Sequence, residues 1–228
     1  MESTRILFED NHLLIIDKLP GEITQKDKTS DLTILDWAKN YLKVKYSKKG
    51  EVYIGLPHRI DRPTSGILVL ARTSKALTRL SDLFKSRDIE KIYWVLLEKN
   101  KKISKEGLLR NWMTKNQNLN KTFVVQENKP TAKLAELSYK ILKELANYYW
   151  VEVKLLTGRH HQIRAQFAYL GCPVQGDIKY GAKRSNADGS IGLHAYAISF
   201  THPVTRQLLQ VQSKPKNFGI WSIIYSQK

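Results

Sequence analysis

Apolar positions recur mostly in short runs along this 228-residue chain, the signature of strands, and helical spacing appears in only three stretches. Residues 6–8 and 13–17 predict two strands separated by a polar turn at residues 9–11, and KLPG at 18–21 breaks the run. Ile34, Leu35, Ala38 and Leu42, with Trp37 and Tyr41 alongside, predict a helix over residues 31–45. Thr29, Ser30 and Asp31 offer its N-cap chemistry. The unbroken ILVLA at 67–71 predicts a buried strand, and Thr73 or Ser74 then caps a second helix with the stripe Leu77, Leu80, Leu83 and Phe84. Residues 90–98 (EKIYWVLLE) predict a strand with Lys91, Tyr93 and Val95 on one face and Ile92, Trp94 and Leu96 on the other. A polar, basic loop at 100–107 is the segment expected to be most mobile. Strands follow at 122–126, 135–139 and 148–156, with a turn at 116–120. Ile163, Phe167 and Leu170 fall at i, i+4 and i+7, and Gly171 suits a helix end, so a third helix is predicted over 160–170. Two strand edges, at 193–195 and 200–203, close the pattern.

The length suffices for one full core and predicts a single domain over residues 1–228. Charge changes the picture more. Lys and Arg number 38 against 21 Asp and Glu, a formal net charge of +17, and the basic residues are spread along the chain. Such a surface seeks polyanions, with nucleic acid the leading partner and a membrane surface the weaker one. No apolar run approaches the roughly 18 residues of a spanning helix, and the acidic, mixed start MESTRILFED is unlike a signal peptide. A cytoplasmic location is expected. The one cysteine, Cys172, excludes an internal disulfide and reads as a buried thiol.

Candidate chemistry concentrates in two stretches. HRIDRPTSG at 58–66 sets one carboxylate, Asp61, between Arg59 and Arg62, and neighbouring cations favour the charged form of an acid. An ionised aspartate suits a nucleophile, a base or a stabiliser of positive charge, and the buried run after it makes this loop a site candidate. The bland alternative is a solvated surface ion pair. The second stretch is TGRHHQIRAQFAYLGCPVQGDIKYG at 157–181. Arg159, His160 and His161 place basic groups at the positive end of the third helix, where an anion relieves the opposition. An RNA phosphate or the Asp61 carboxylate would serve. Arg164 is positioned to point along the core edge towards the acid. His58, His160, His161 and Cys172 lack metal-ligand spacing, so no metal is expected. Gly176, Asp177, Tyr180 and Gly181 read as turn chemistry.

Together, HRIDRPTSG, ILVLARTSKA, KIY, TGRHHQIRAQ, GCPVQGDIKYG, LHA and HPV resemble, in order and spacing, the RluA-type RNA pseudouridine synthases. The resemblance runs from NHLLIIDK to HPVT and so covers most of the chain. It implies an α+β fold: a mainly antiparallel mixed sheet with flanking helices and a central catalytic cleft. It also implies an isomerase that detaches the uracil of a uridine in ribosomal or transfer RNA from C1′, rotates it and rejoins it through C5. On the family's pattern Asp61 is catalytic, attacking covalently or abstracting a sugar proton by a glycal route. Tyr93, the tyrosine of K-x-Y, stacks on the extracted base, and Arg164 pairs with Asp61. Arg59, Arg62, Lys91, Arg159, His160 and His161 are the candidate RNA contacts, Arg59 filling the space the flipped base leaves. Such a base must leave its stack, which calls for a stacking partner and a basic surface. No cofactor is needed for a redox-neutral isomerisation.

There are departures from the family's pattern. Gln166 stands where many relatives have histidine, and DKLPG replaces the common N-K-P-x-G; either could alter substrate fit. No S4-like RNA-binding module is legible ahead of the catalytic stretch, and a monomer is expected. Two other classes compete. One is a catalytically silent RNA-binding protein, which loss of Asp61, Tyr93 or Arg164 would favour. The other is a hydrolase pairing Asp61 with Asp177, which needs two acids across one bond.

Overall fold

The apolar runs fold into strands joined by short helices. Their order is β1 (Ile6–Glu9), β2 (Leu13–Lys18), α1 (Ile34–Lys45), β3 (Ser65–Ala71), α2 (Ser74–Ser86), β4 (Ile89–Glu98), β5 (Glu106–Asn116) and β6 (Lys121–Val125). Then come β7 (Lys133–Glu144), β8 (Tyr148–Leu155), α3 (Gln162–Tyr169), β9 (Leu193–Thr201), β10 (Leu208–Gln212) and α4 (Ser222–Tyr225). The computed structural model describes residues 5–25 and 31–226. Two units are present, Met1–Ile89 with Ala195–Lys214, and Glu90–His194 with Pro215–Lys228. The protein is α+β, and antiparallel pairing dominates within each unit.

In the first unit β2 lies between β1 and β3, antiparallel to both, and β9 lies on the other side of β3, with β10 antiparallel to β9. Leu13, Leu14, Ile15 and Ile16 are all fully buried, as expected of a strand covered on both faces. Leu14, Ile16, Leu68 and Leu70 pack with Ile34, Ala38 and Leu42 of α1. That helix starts at Ile34, three residues later than its periodicity predicts, because Thr33 makes a capping box. Its hydroxyl accepts from Asp36 N–H, and the Asp36 carboxylate accepts from Thr33 N–H. An acid three residues beyond a threonine satisfies two helix-end donors at once, which Asp31 does not. Thr29 and Ser30 lie outside the described residues. Thr73 caps α2 as predicted, accepting from Ala76 N–H.

In the second unit the strand order is β4-β8-β7-β5-β6, every neighbour antiparallel. Ile163 and Phe167 of α3 pack on Val95, Leu97, Leu137, Val151 and Val153. The helix is only eight residues long, and its first six, Gln162 to Phe167, are all buried. It stops where Gly171 adopts φ 90° and Cys172 N–H donates back to the Phe167 carbonyl, a left-handed ending that glycine takes without strain.

Three strand expectations change. β5 occupies a stretch that periodicity left unassigned. The two closing edges are instead one continuous strand, β9, at their N-terminal side, and β10 follows at 208–212. No helix among the described residues is long and apolar enough to cross a membrane.

Candidate active site

The Asp61 loop belongs to the first unit and is pinned at four points. At its start, Val69 N–H donates to His58 Nε2 at 3.0 Å, and the imidazole stacks on Phe84 of α2 with centroids 4.4 Å apart. That bond fixes the tautomer, because an accepting nitrogen carries no proton. Next, Ile60 is buried in the same cluster as Leu68 and Leu70, which leaves its neighbour Asp61 half-buried at the edge of the core. The turn closes with Thr64 N–H donating to the Asp61 carbonyl at 3.0 Å. At the end, Gly66 has φ 105°, and a Cβ there would lie 2.4 Å from the Ala195 carbonyl oxygen. Only glycine allows that approach.

The two arginines of the motif point elsewhere than the sequence suggests. Arg59 is exposed and donates to Gln25 Oε1 at 3.0 Å; Arg62 donates to the Gly21 carbonyl and forms an ion pair with Asp31 at 2.8 Å. A third cation, absent from the motif, lies against the loop instead. Lys18 is fully buried, sits opposite Gly66 in the β2–β3 register, and donates from Nζ to the carbonyls of Leu19 (2.8 Å) and Arg62 (3.2 Å). Burial pushes its pKa down to about 8, against the favourable charges of Glu22 and Asp61; Arg5 and Arg62 act in the same direction as burial.

The remaining predicted site residues lie in the second unit. Tyr93 is half-buried on β4, beside Val153 in register and packed on the core. Arg164 is buried on α3 and makes a bidentate pair with Asp177, Nε to Oδ2 at 2.6 Å and Nη2 to Oδ1 at 2.9 Å. Asp177 is itself 2% exposed. It is therefore a partner of the arginine and not the bare turn residue that its flanking glycines suggested, with both carboxylate oxygens taken up by the pair.

Tyr180 serves the same arginine. Its ring lies 5.0 Å from the Arg164 guanidinium and 4.9 Å from Lys121 Nζ, its hydroxyl accepts from Thr122 N–H at 2.8 Å, and it meets His161 Nδ1 at 3.0 Å. His160 Nδ1 lies 2.7 Å from Thr122 Oγ1, so both histidines tie the start of α3 to β6 and to Tyr180. Arg159 donates to the Leu134 carbonyl, and Lys91 Nζ is 3.5 Å from the position of a Cβ on Gly158. Gln162 completes the turn: its side-chain oxygen accepts from Thr157 Oγ1 and Arg159 N–H, and its amide donates to the Glu136 carbonyl. Gln166 is 1% exposed and donates to Leu109, Asn111 and Ala135. It seats α3 on β5 and β7. Among the described residues no three His, Cys, Asp or Glu side chains stand together as metal ligands.

A family model described as RNA pseudouridylate synthase matches residues 12–169, a span that takes in both the Asp61 loop and Arg164. The chain belongs to this family. A ribosomal large subunit pseudouridine synthase C of Vibrio vulnificus (strain CMCP6) is 29% identical over 218 residues, covering 91% of this chain and 64% of that protein. A protein of the same name from Rickettsia felis is 32% identical over 213 residues, covering 92% of this chain and 67% of its own length. This chain thus spans about two thirds of the length of these relatives. The solved structure of human RNA pseudouridylate synthase domain containing 4 superposes with a TM-score of 0.80 at 23% identity, over 98% of this chain and 93% of that one, which establishes the pseudouridine synthase fold.

Sequence reasoning missed the burial of Lys18 and the pairing of Asp177 with Arg164. KLPG reads locally as a strand breaker, and GDIKYG reads as a turn. The signal available was a charge placed inside an otherwise apolar or glycine-bounded stretch, where a solvated role is least natural.

Proposed function

We propose that the protein isomerises uridines in structured RNA to pseudouridine, within one catalytic domain acting as a monomer in the cytoplasm. The observation that carries this reading is the family match over a span containing both the loop built around Asp61 and the helix carrying Arg164. Asp61 is the catalytic carboxylate, acting on C1′ or the base covalently or by removing a sugar proton. Tyr93 stacks on the extracted uracil. Arg164, oriented by Asp177 and Tyr180, is the cation that pairs with Asp61 during the reaction. The C1′–N1 bond breaks, the uracil turns and C1′–C5 forms; C5 loses its proton to solvent and N1 takes one up, so atoms and electrons balance with no oxidant or cofactor. In this reading Arg59, Arg62, Lys91, Arg159, His160 and His161 contact the RNA, and Arg59, exposed on the loop itself, fills the space vacated by the flipped base.

Large-subunit ribosomal RNA is the first substrate to test, since the relatives' names specify it, and transfer RNA the second. Carbodiimide-dependent reverse-transcription stops are mapped on total RNA from cells with the gene, without it, and carrying Asp61→Ala. One or a few sites should vanish in both altered strains. A site lost in the deletion but kept by Asp61→Ala would remove Asp61 from its role.

A further inference from the structure

The β5–β6 hairpin has an exposed tip, residues 115–120, and no acidic residue stands between Glu106 and Glu127. The tip is held in one shape. Asn116 Oδ1 accepts from Leu119 N–H at 3.0 Å, Asn120 N–H donates to the Gln117 carbonyl, and Lys179 Nζ reaches the Leu119 and Asn120 carbonyls at 3.5 and 3.4 Å. β6 is the edge strand of its unit. The N–H that Thr122 turns away from β5 is taken by the Tyr180 hydroxyl at 2.8 Å, which closes that donor to a further strand. Recognition at this edge falls to side chains.

Strand alternation sorts them. Thr122 is buried and Val124 packs with Met113, Ala135, Ala165 and Tyr180, which leaves Lys121 and Phe123 on the other face. Phe123 is 38% exposed; among the described residues no other ring packs on it, and the cation over its ring is Lys121 Nζ, 5.5 Å from the centroid. The same ammonium lies 4.9 Å from the centre of the Tyr180 ring, which also carries the Arg164 guanidinium at 5.0 Å. Two rings thus fix the Lys121 charge in place, and among the described residues no carboxylate pairs with it. Asp177, the acid of the adjoining turn, has both oxygens on Arg164.

A fixed cation without a counter-charge seats an anion, and an exposed aromatic face beside it seats a base; the two occur together in a nucleotide. We propose that Lys121 and Phe123 form a subsite for a nucleotide flanking the target uridine, Lys121 meeting its phosphate and Phe123 stacking on its base. One ring, Tyr180, separates the subsite from Arg164. Stacking accepts any base, so the subsite selects a uridine whose neighbour is splayed out of a helix over one whose neighbour is stacked within it. This rests on the reading of the chain as an enzyme acting on uridines in RNA, but both contacts are measurable without turnover.

The test uses the full chain labelled with 4-fluorophenylalanine at its six phenylalanines, the signal of residue 123 being assigned by its loss in Phe123→Leu. A short single-stranded oligouridylate shifts that signal, and a strand of equal length made of abasic sugars does not. A signal unmoved by the oligouridylate, or moved equally by the abasic strand, overturns the proposal. Fluorescence anisotropy with the same oligouridylate separates the two contacts. Phe123→Ala weakens binding about tenfold without changing the salt dependence, and Phe123→Trp restores it. Lys121→Met lowers the slope of log affinity against log salt by about 0.7, the share of one phosphate on a single strand. A phenylalanine serving only the fold lowers the melting temperature on substitution and leaves the affinity of the folded protein as it was, which overturns the proposal. On transcribed large-subunit ribosomal RNA, Phe123→Ala raises KM more than it lowers kcat, and an unchanged KM overturns the proposal too. Should the unaltered protein modify no RNA while the residue 123 signal still answers the oligouridylate, the functional reading fails and the nucleotide subsite stands.

Discussion

The proton on Lys18 sets how the stability of the fold depends on pH. Its pKa falls from the usual 10.5 to about 8 on folding, so between those values the unfolded chain binds more protons than the folded one, and stability rises with pH. Below pH 8 the full cost of enclosing an ammonium is present; above pH 10.5 it is gone. Urea unfolding at pH 7 and pH 10 checks this: relative to Lys18→Met, the unaltered chain should gain about 2 kcal/mol between the two. Asp177 makes a simpler case. With Arg164 at 5% side-chain exposure, Asp177→Asn strips a formal counter-charge from a buried guanidinium, and unfolding free energy should drop by roughly 3 kcal/mol, together with activity. Asp61 and Arg164 stand out as candidates in the sequence because their neighbours mark them. Lys18 and Asp177 do not, because the partners that give them meaning stand 44 residues away for the Lys18–Arg62 bond and 13 for the Arg164–Asp177 pair.

Elements were legible in proportion to how much of each they bury. The runs that became β2, β3, β4 and β8 are apolar enough to declare themselves, whereas β5 alternates only half-buried with exposed residues over its first six positions and β10 has one buried residue in five. β9 was read as two edges, 193–195 and 200–203, because the mixed residues 196–199 between them carry no clear strand signal, yet they continue the same strand. Helix α1 was found by its stripe and misplaced at its start, which the cap decides. Thr33→Ala removes the hydroxyl that Asp36 N–H reaches and should cost about 1 kcal/mol, read as a lower urea midpoint with unchanged slope.

Net charge is the one whole-molecule property that composition states outright. At +17, RNA affinity should fall at least tenfold between 50 and 200 mM salt, since every neutralised phosphate releases counterions; fluorescence anisotropy of a labelled RNA hairpin measures it, and a flat response would place recognition in uncharged contacts. The division into two units is not written in composition, because the first is completed by residues 195–214 returning after the second has begun, with no linker to mark either crossing. A last property of the chain lies in how β2 is aligned on β3. Asp17 faces Ile67 and Lys18 faces Gly66, two adjacent residues of opposite sign, so a slip of one position would offer a carboxylate where the ammonium now stands and turn the strand's side chains to the wrong faces. The sign of the field on the Asp61 loop is thus encoded in the alignment of two greasy strands. Substitutions among the buried Leu13, Leu14, Ile15 and Ile16 should therefore be felt at that loop, by loosening the alignment.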